Sequence, residues 1–393
     1  MRLRTCRCTW HVHGPSHGGS ILGLKSAIVA IVLTLSLGTA AAYPEFQFST
    51  GTQRCAECHF SPVGGGLIND YGRDEAATTI SDAGDGRFLH GLVELPSWIA
   101  LGGDVRLAAL GKQIRDGSEA AVFPMQADLY ARVARDNWSA QVTFGVLEAL
   151  RQPHDLTERL GSREHYLLYQ AASRAWYVRL GRFFPVFGLR LPDHTAYVRR
   201  YTGQHSLEED YAVGVGILED SWELHVTAMT PLEVGSPLSP VVGRHGAGLA
   251  AQLETSGEAS TWSVQASVLR DGAGIDSWFG GTWKRWLASS DLLVAAELDA
   301  GVIQVPGGTA VGRVVGYGTV HYRPGKPWGA ALGAHYFDPD LRLRGDTRAA
   351  LEGRFAWFPR AHFEVAALVR GAVVNLEVGR GDLLGMLQLH YYL

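Results

Sequence analysis

From about Trp98 to the final residue, apolar and polar side chains alternate with a period of two. In the run 138–146, Trp138, Ala140, Val142, Phe144 and Val146 form one set and Ser139, Gln141, Thr143 and Gly145 the other. Trp222, Leu224, Val226 and Ala228 alternate with Glu223, His225 and Thr227 in the same way, and Trp262, Val264, Ala266 and Val268 with Ser263, Gln265 and Ser267. Successive side chains of a strand point to opposite faces, so this period specifies strands with one apolar and one polar face. A soluble sandwich also contains such strands. Here the strands are numerous, aromatics recur at their ends, where an interfacial girdle would sit, and the pattern runs to the end of the chain. The expectation is an all-β fold, a transmembrane antiparallel β-barrel.

Sixteen strand candidates span residues 98–393, separated by turns rich in Gly, Pro, Asp and Ser; fourteen strands also fit. About 295 residues over sixteen strands leaves roughly 18 for each strand and its turn, enough for strands of about 9–11 residues crossing a bilayer. The longest gap runs from Gly188 to Glu208 and holds Asp193, His194 and Arg199-Arg200. A gap that long is a loop, external or folded into the lumen. No stretch in this region is long and apolar enough for a transmembrane helix. With a formal net charge of −4 and 19% charged residues, the chain has no nucleic-acid footprint.

Residues 1–42 read as a secretory leader. Lys25 precedes the apolar run Ala27–Leu37, and Ala40-Ala41-Ala42 supplies small residues for cleavage before Tyr43. The cysteines and histidines of Met1–Gly19, Cys6, Cys8, His11, His13 and His17, are read as part of a long leader and not as a metal site. Only Cys55 and Cys58 then remain in the mature chain.

Those two cysteines stand in Cys55-Ala56-Glu57-Cys58-His59, the C-x-x-C-H attachment site of a c-type haem. Two thiols three positions apart reach the vinyl groups of one porphyrin edge, and the histidine is placed to ligate the iron from the proximal side. A zinc site would need four ligands, and no second cysteine pair follows. Covalent c-haem attachment takes place outside the cytoplasm, so the leader and the motif support one another.

The expected organisation is a leader (1–42), a monohaem cytochrome c segment (43–95) and a barrel (96–393). About fifty residues are too few for a self-sufficient core, so the haem segment is expected to lean on the barrel and to plug its lumen. After the motif, Pro62 ends the helical turn, and Gly64-Gly65-Gly66 lets backbone pass close to a flat ligand. Asn69, Tyr71 and Arg73 are candidate partners of the haem propionates, Arg73 with charge assistance. The segment lacks Met, the common sixth ligand of soluble cytochromes. His90 is its only other histidine and the first candidate for that position, with His194 of the long loop next.

The leader, the single C-x-x-C-H near the mature N-terminus and a barrel of this length together resemble the fused monohaem cytochrome–porins, some of which oxidise ferrous iron at the cell surface. Residue by residue the likeness is specific at Cys55, Cys58 and His59. The run Phe60–Arg73 also resembles a segment of haem-bearing outer-membrane proteins. The last strand is similar to the C-terminal assembly signal of outer-membrane barrels, with Leu393 in place of the usual Phe or Trp. The resemblance implies electron transfer across the outer membrane of a Gram-negative bacterium, with a periplasmic electron-carrier cytochrome and an extracellular metal or other redox partner. Two other classes stay open: a diffusion porin whose haem segment is a structural or regulatory plug, and an exported haem sensor with a soluble β domain.

Overall fold

In a computed structural model of the protein, residues 44–114, 117–146, 160–205, 208–232, 245–375 and 380–393 are described; the expected leader lies outside them. Sixteen strands form one closed antiparallel barrel in which each pairs with its sequence neighbours and the first closes onto the last. They are β1 (Ile99–Ile114), β2 (Gly117–Arg135), β3 (Trp138–Val146), β4 (Leu160–Gln170), β5 (Trp176–Phe183), β6 (Asp210–Glu219), β7 (Trp222–Met229) and β8 (Ala247–Gly257). The second half comprises β9 (Ser260–Asp271), β10 (Gly274–Leu287), β11 (Leu292–Gln304), β12 (Val311–Tyr322), β13 (Trp328–Asp338), β14 (Arg348–Arg360), β15 (Phe363–Val374) and β16 (Arg380–Tyr392). Closure pairs Asp104 with Tyr392 and Gln113 with Leu383, leaving no edge to expose unpaired backbone in lipid. Sixteen strands, and not fourteen, follow the alternation.

Both ends of the barrel domain lie at one rim, the terminal rim. Its connections include the two-residue turns 136–137, 220–221, 258–259 and 361–362, whereas the opposite rim carries longer connections such as 184–209 and 339–347. Outward-pointing Leu129, Leu180, Leu298, Leu332 and Leu351 are each more than half exposed. A continuous apolar belt of this kind is unfavourable in water and is matched by hydrocarbon. Trp98, Trp138, Trp176, Trp262 and Trp357 are exposed at the terminal ends of their strands, as an interfacial girdle requires. This outer face does not suit the soluble β domain of a sensor.

The polar face points inward, and much of it is covered. Gln126, Gln252 and Asp299 are fully buried. Two segments do the covering. Residues 184–205 fold into the lumen, where Phe187, Leu189, Leu191, Tyr197 and Val198 form a core with Trp278, Val315 and Phe337 of the wall. Tyr201 stacks on Phe337 at 3.8 Å between ring centres.

The second is the N-terminal segment, at the terminal rim. It comprises α1 (Pro44–Ser49), α2 (Cys55–Cys58), α3 (Asp70–Glu75), a π-turn at Ala76–Ile80 and a 3-10 turn at Phe88–Gly91. Its apolar side chains are buried against the wall: Phe46 meets Phe358 edge-on at 5.6 Å, and Ile80 joins Ala356 and Phe358. Lys284 Nζ donates to Gln47 Oε1 at 3.0 Å, the amide of Asp82 to the Phe358 carbonyl at 3.2 Å, and the amide of Ala361 to the Ala83 carbonyl at 2.7 Å. Arg190 of the in-folded loop donates to the Val63 carbonyl at 3.0 Å and pairs with Glu223 at 2.9 Å. The plug and the loop therefore touch inside the lumen.

Candidate haem site

The helical turn α2 is held by its neighbour in sequence. Asn69 caps α3, its Oδ1 accepting from the Gly72 amide at 2.9 Å, while its Nδ2 donates back to the Glu57 carbonyl at 2.8 Å. A Cβ at Gly72 would lie 2.4 Å from the Cys58 carbonyl oxygen, so only glycine lets α3 approach α2 this closely. His59 leaves the helix in extended conformation and bridges Ile68. Gly64, Gly65 and Gly66 turn the chain between them with φ of +81°, +78° and +58°, the left-handed region that glycine enters freely.

Cys55, Cys58 and His59 all line one cavity, open at its mouth, between the plug and the barrel wall. On the plug side its lining includes Phe46, Thr50, Ile68, Ala76 and Ile80; on the barrel side it includes Asp104, Arg106, Tyr130, Glu364, His390 and Tyr392. Most of the surface is apolar; its charged groups are Arg54 and Glu75 on the plug side and Asp104, Arg106 and Glu364 on the barrel wall. The thiols form no disulfide. Burial pushes both thiols up, Cys58 to about 11. Burial also lowers the His59 imidazole to about 4, despite nearby Gly65 backbone and Asp104, which keeps it in the neutral form a metal ligand needs. Two thiols and a neutral imidazole facing one apolar cavity are the donor set a c-type haem requires.

The wall half of the cavity is made by barrel closure. Register sets Arg106 opposite His390 and His390 opposite Glu364. His390 Nδ1 lies 2.9 Å from Glu364 Oε2 and its Nε2 2.8 Å from Asp104 Oδ1. Asp104 also accepts from Tyr130 Oη and, at 3.4 Å, from Gln126. A β-bulge follows Arg106, where Leu107 faces Pro124 and Met125 is skipped; Pro124 has no amide to give to the ladder.

The other expected site residues lie elsewhere. Arg73 does not line the cavity. It is buried, donates from Nη2 to the Leu101 carbonyl at 2.6 Å and sits over Phe88, so it ties the plug to β1. The arginines that do reach the cavity are Arg54 and Arg106. Tyr71 donates to the Thr50 carbonyl at 3.2 Å. His90 stands outside the lining, edge-on to His362 at 4.6 Å. His194 faces a second, deeper cavity beside the in-folded loop, with Asp193, Arg370 and, again, Arg106. The residue that sequence reasoning passed over is His390. Its signal was its polar-face position in the last strand, shared with Gln388 and Tyr392.

Comparison with solved structures returns porins. A loop-deletion form of OmpT, an outer membrane protein of Vibrio cholerae, aligns with a TM-score of 0.58 and 11% identity over 75% of this chain and 99% of that one. An anion-selective porin from Comamonas acidovorans gives 0.59 and 8% over 75% and 99%. The outer membrane channel DcaP of Acinetobacter baumannii gives 0.52 and 14% over 81% and 100%. At these identities the likeness is one of fold: the chain has the porin-type barrel. A scan against protein-family models and a search of curated proteins each found no match.

Proposed function

We propose that the protein is an outer-membrane, porin-type barrel that carries one covalent c-type haem at the terminal end of its lumen and serves one-electron transfer across that membrane. The observation that carries this reading is the convergence of Cys55, Cys58 and His59 on a single apolar cavity closed by the barrel wall. Cys55 and Cys58 would hold the group as thioethers and His59 would be the proximal iron ligand. Arg54 and Arg106 offer cationic partners for propionates. Phe46, Ile68, Ala76 and Ile80 of the lining would keep water away from the bound group. When bound, the haem supplies a one-electron couple whose potential is set by ligands, burial and hydrogen bonds. A periplasmic carrier cytochrome at the terminal rim and an extracellular donor, ferrous iron among them, are the partners this reading implies.

The porin likeness favours a second reading, a diffusion porin whose haem-bearing segment is a structural or regulatory plug. The contact between plug and in-folded loop, and the buried polar wall behind them, favour the first. Proteoliposomes separate the two. The haem-loaded protein should pass electrons from an impermeant external reductant to an entrapped soluble cytochrome, and the Cys55→Ala/Cys58→Ala protein should not. Rapid sugar-driven swelling without electron passage would support the diffusion porin instead.

A further inference from the structure

We infer that His390, from the last barrel strand, is the distal iron ligand of the haem held by Cys55, Cys58 and His59. This rests on the covalent-haem reading above. His390 is the second imidazole on the cavity, and no methionine shares that lining. His90 and His194 are not on it. The remaining oxygen donors there are carboxylates, phenols, threonine hydroxyls and the Gln47 amide, weaker partners for a low-spin haem iron.

Both ring nitrogens of His390 lie within 2.9 Å of a carboxylate, and one of these contacts, Nδ1 on Glu364, is the kind a metal-ligating histidine keeps. Such a residue donates its second ring N–H to a carboxylate, which fixes the tautomer and raises the basicity of the ligating nitrogen. Glu364 Oε2 lies 2.9 Å from Nδ1, and Arg354 donates to the other Glu364 oxygen at 2.8 Å. Nε2 is the nitrogen that can be given up. Its partner Asp104 keeps the Tyr130 hydroxyl and Gln126 as donors to its other oxygen, Oδ2, so the carboxylate stays hydrogen-bonded when Oδ1 loses the imidazole. Glu364 is then a positioning residue.

The barrel thereby gains a role in the redox centre. One axial ligand comes from the plug and the other from the wall, next to the β1–β16 seam. The complete six-coordinate site exists only when the plug is seated in the closed barrel.

The test uses the full-length, haem-loaded protein in detergent. The parent should show a low-spin, six-coordinate spectrum in both oxidation states. His390→Ala should turn high-spin and its ferrous form should bind carbon monoxide, with added imidazole restoring the low-spin spectrum. His390→Met should stay six-coordinate with a raised potential, and this variant carries the test if the alanine protein does not fold, as judged by heat-modifiable gel mobility. His90→Ala should leave the spectrum unchanged. A haem-stained band on a denaturing gel with an unchanged low-spin spectrum in His390→Ala overturns the assignment of His390. A parent protein with no haem-stained band overturns the covalent-haem reading itself.

Discussion

Replacing Leu332 by arginine probes which face of the barrel meets lipid. Leu332 is 72% exposed and points outward from the middle of β13. It lies four residues from Trp328 at the terminal girdle. Strands rise about 3.3 Å per residue and tilt by roughly 40°, so each residue adds about 2.5 Å of height. Leu332 therefore stands about 10 Å above the girdle, near the middle of an apolar band about 25 Å tall. Arginine there should cost about 2–4 kcal/mol, or roughly 30- to 1,000-fold in the folding equilibrium. The control is Leu368→Glu on the lumen face. Leu368 pairs in register with Arg354 and lines the deeper cavity with it, so a carboxylate there forms a cross-strand pair contributing about 0.2–1 kcal/mol. Urea titration of protein refolded into vesicles, followed by heat-modifiable gel mobility, reads both. A parental urea midpoint for Leu332→Arg, or an equal loss for the two variants, would refute this assignment of lipid and lumen faces.

Gly72→Ala must push α3 away from the Cys58 carbonyl, an overpacking cost of about 1–3 kcal/mol; the expected readouts are a lower yield of haem-stained protein and faster proteolysis within residues 44–95. Asn69→Ala removes the cap of α3 and the bond to Glu57, at about 1 kcal/mol, with the same readouts to a smaller degree and partial recovery in Asn69→Asp, which restores the cap alone. Arg190→Ala releases Val63 and strips Glu223 of its guanidinium partner, so ion conductance in planar bilayers should rise while haem staining persists; unchanged conductance would mean that the plug is held by its other contacts.

The strands were legible because a two-sided environment writes itself into the sequence at every second residue. The alternating run from Trp222 to Ala228 lies in Trp222–Met229 in the structure, and that from Trp262 to Val268 in Ser260–Asp271. The placement of Cys55, Cys58 and His59 on one cavity was legible because the C-x-x-C-H spacing keeps all three within one helical turn and the residue after it. The wall half of the cavity was not, because it depends on which strands meet. Asp104 and Arg106 become neighbours of His390 and Tyr392 only through barrel closure, and before closure His390 is one more polar residue on an inward face. Arg73 illustrates the opposite case. Its place in the flank suggested the cofactor, but a buried guanidinium also satisfies orphan carbonyls, and Leu101 is the one it reaches. The gap around His194 read correctly as a loop, while its seat in the lumen depended on Trp278, Val315 and Phe337 in distant strands.

The proposed electron transfer requires a covalent haem in a membrane barrel. Both are read at once by the intact mass of the full-length gene product, expressed with c-type maturation and extracted from the outer-membrane fraction. The expected species is a polypeptide beginning at Tyr43 with the added mass of one haem, and Cys55→Ala/Cys58→Ala should lose that increment. A barrel recovered from that fraction at the mass of the polypeptide alone, with both thiols free, would contradict the proposed function.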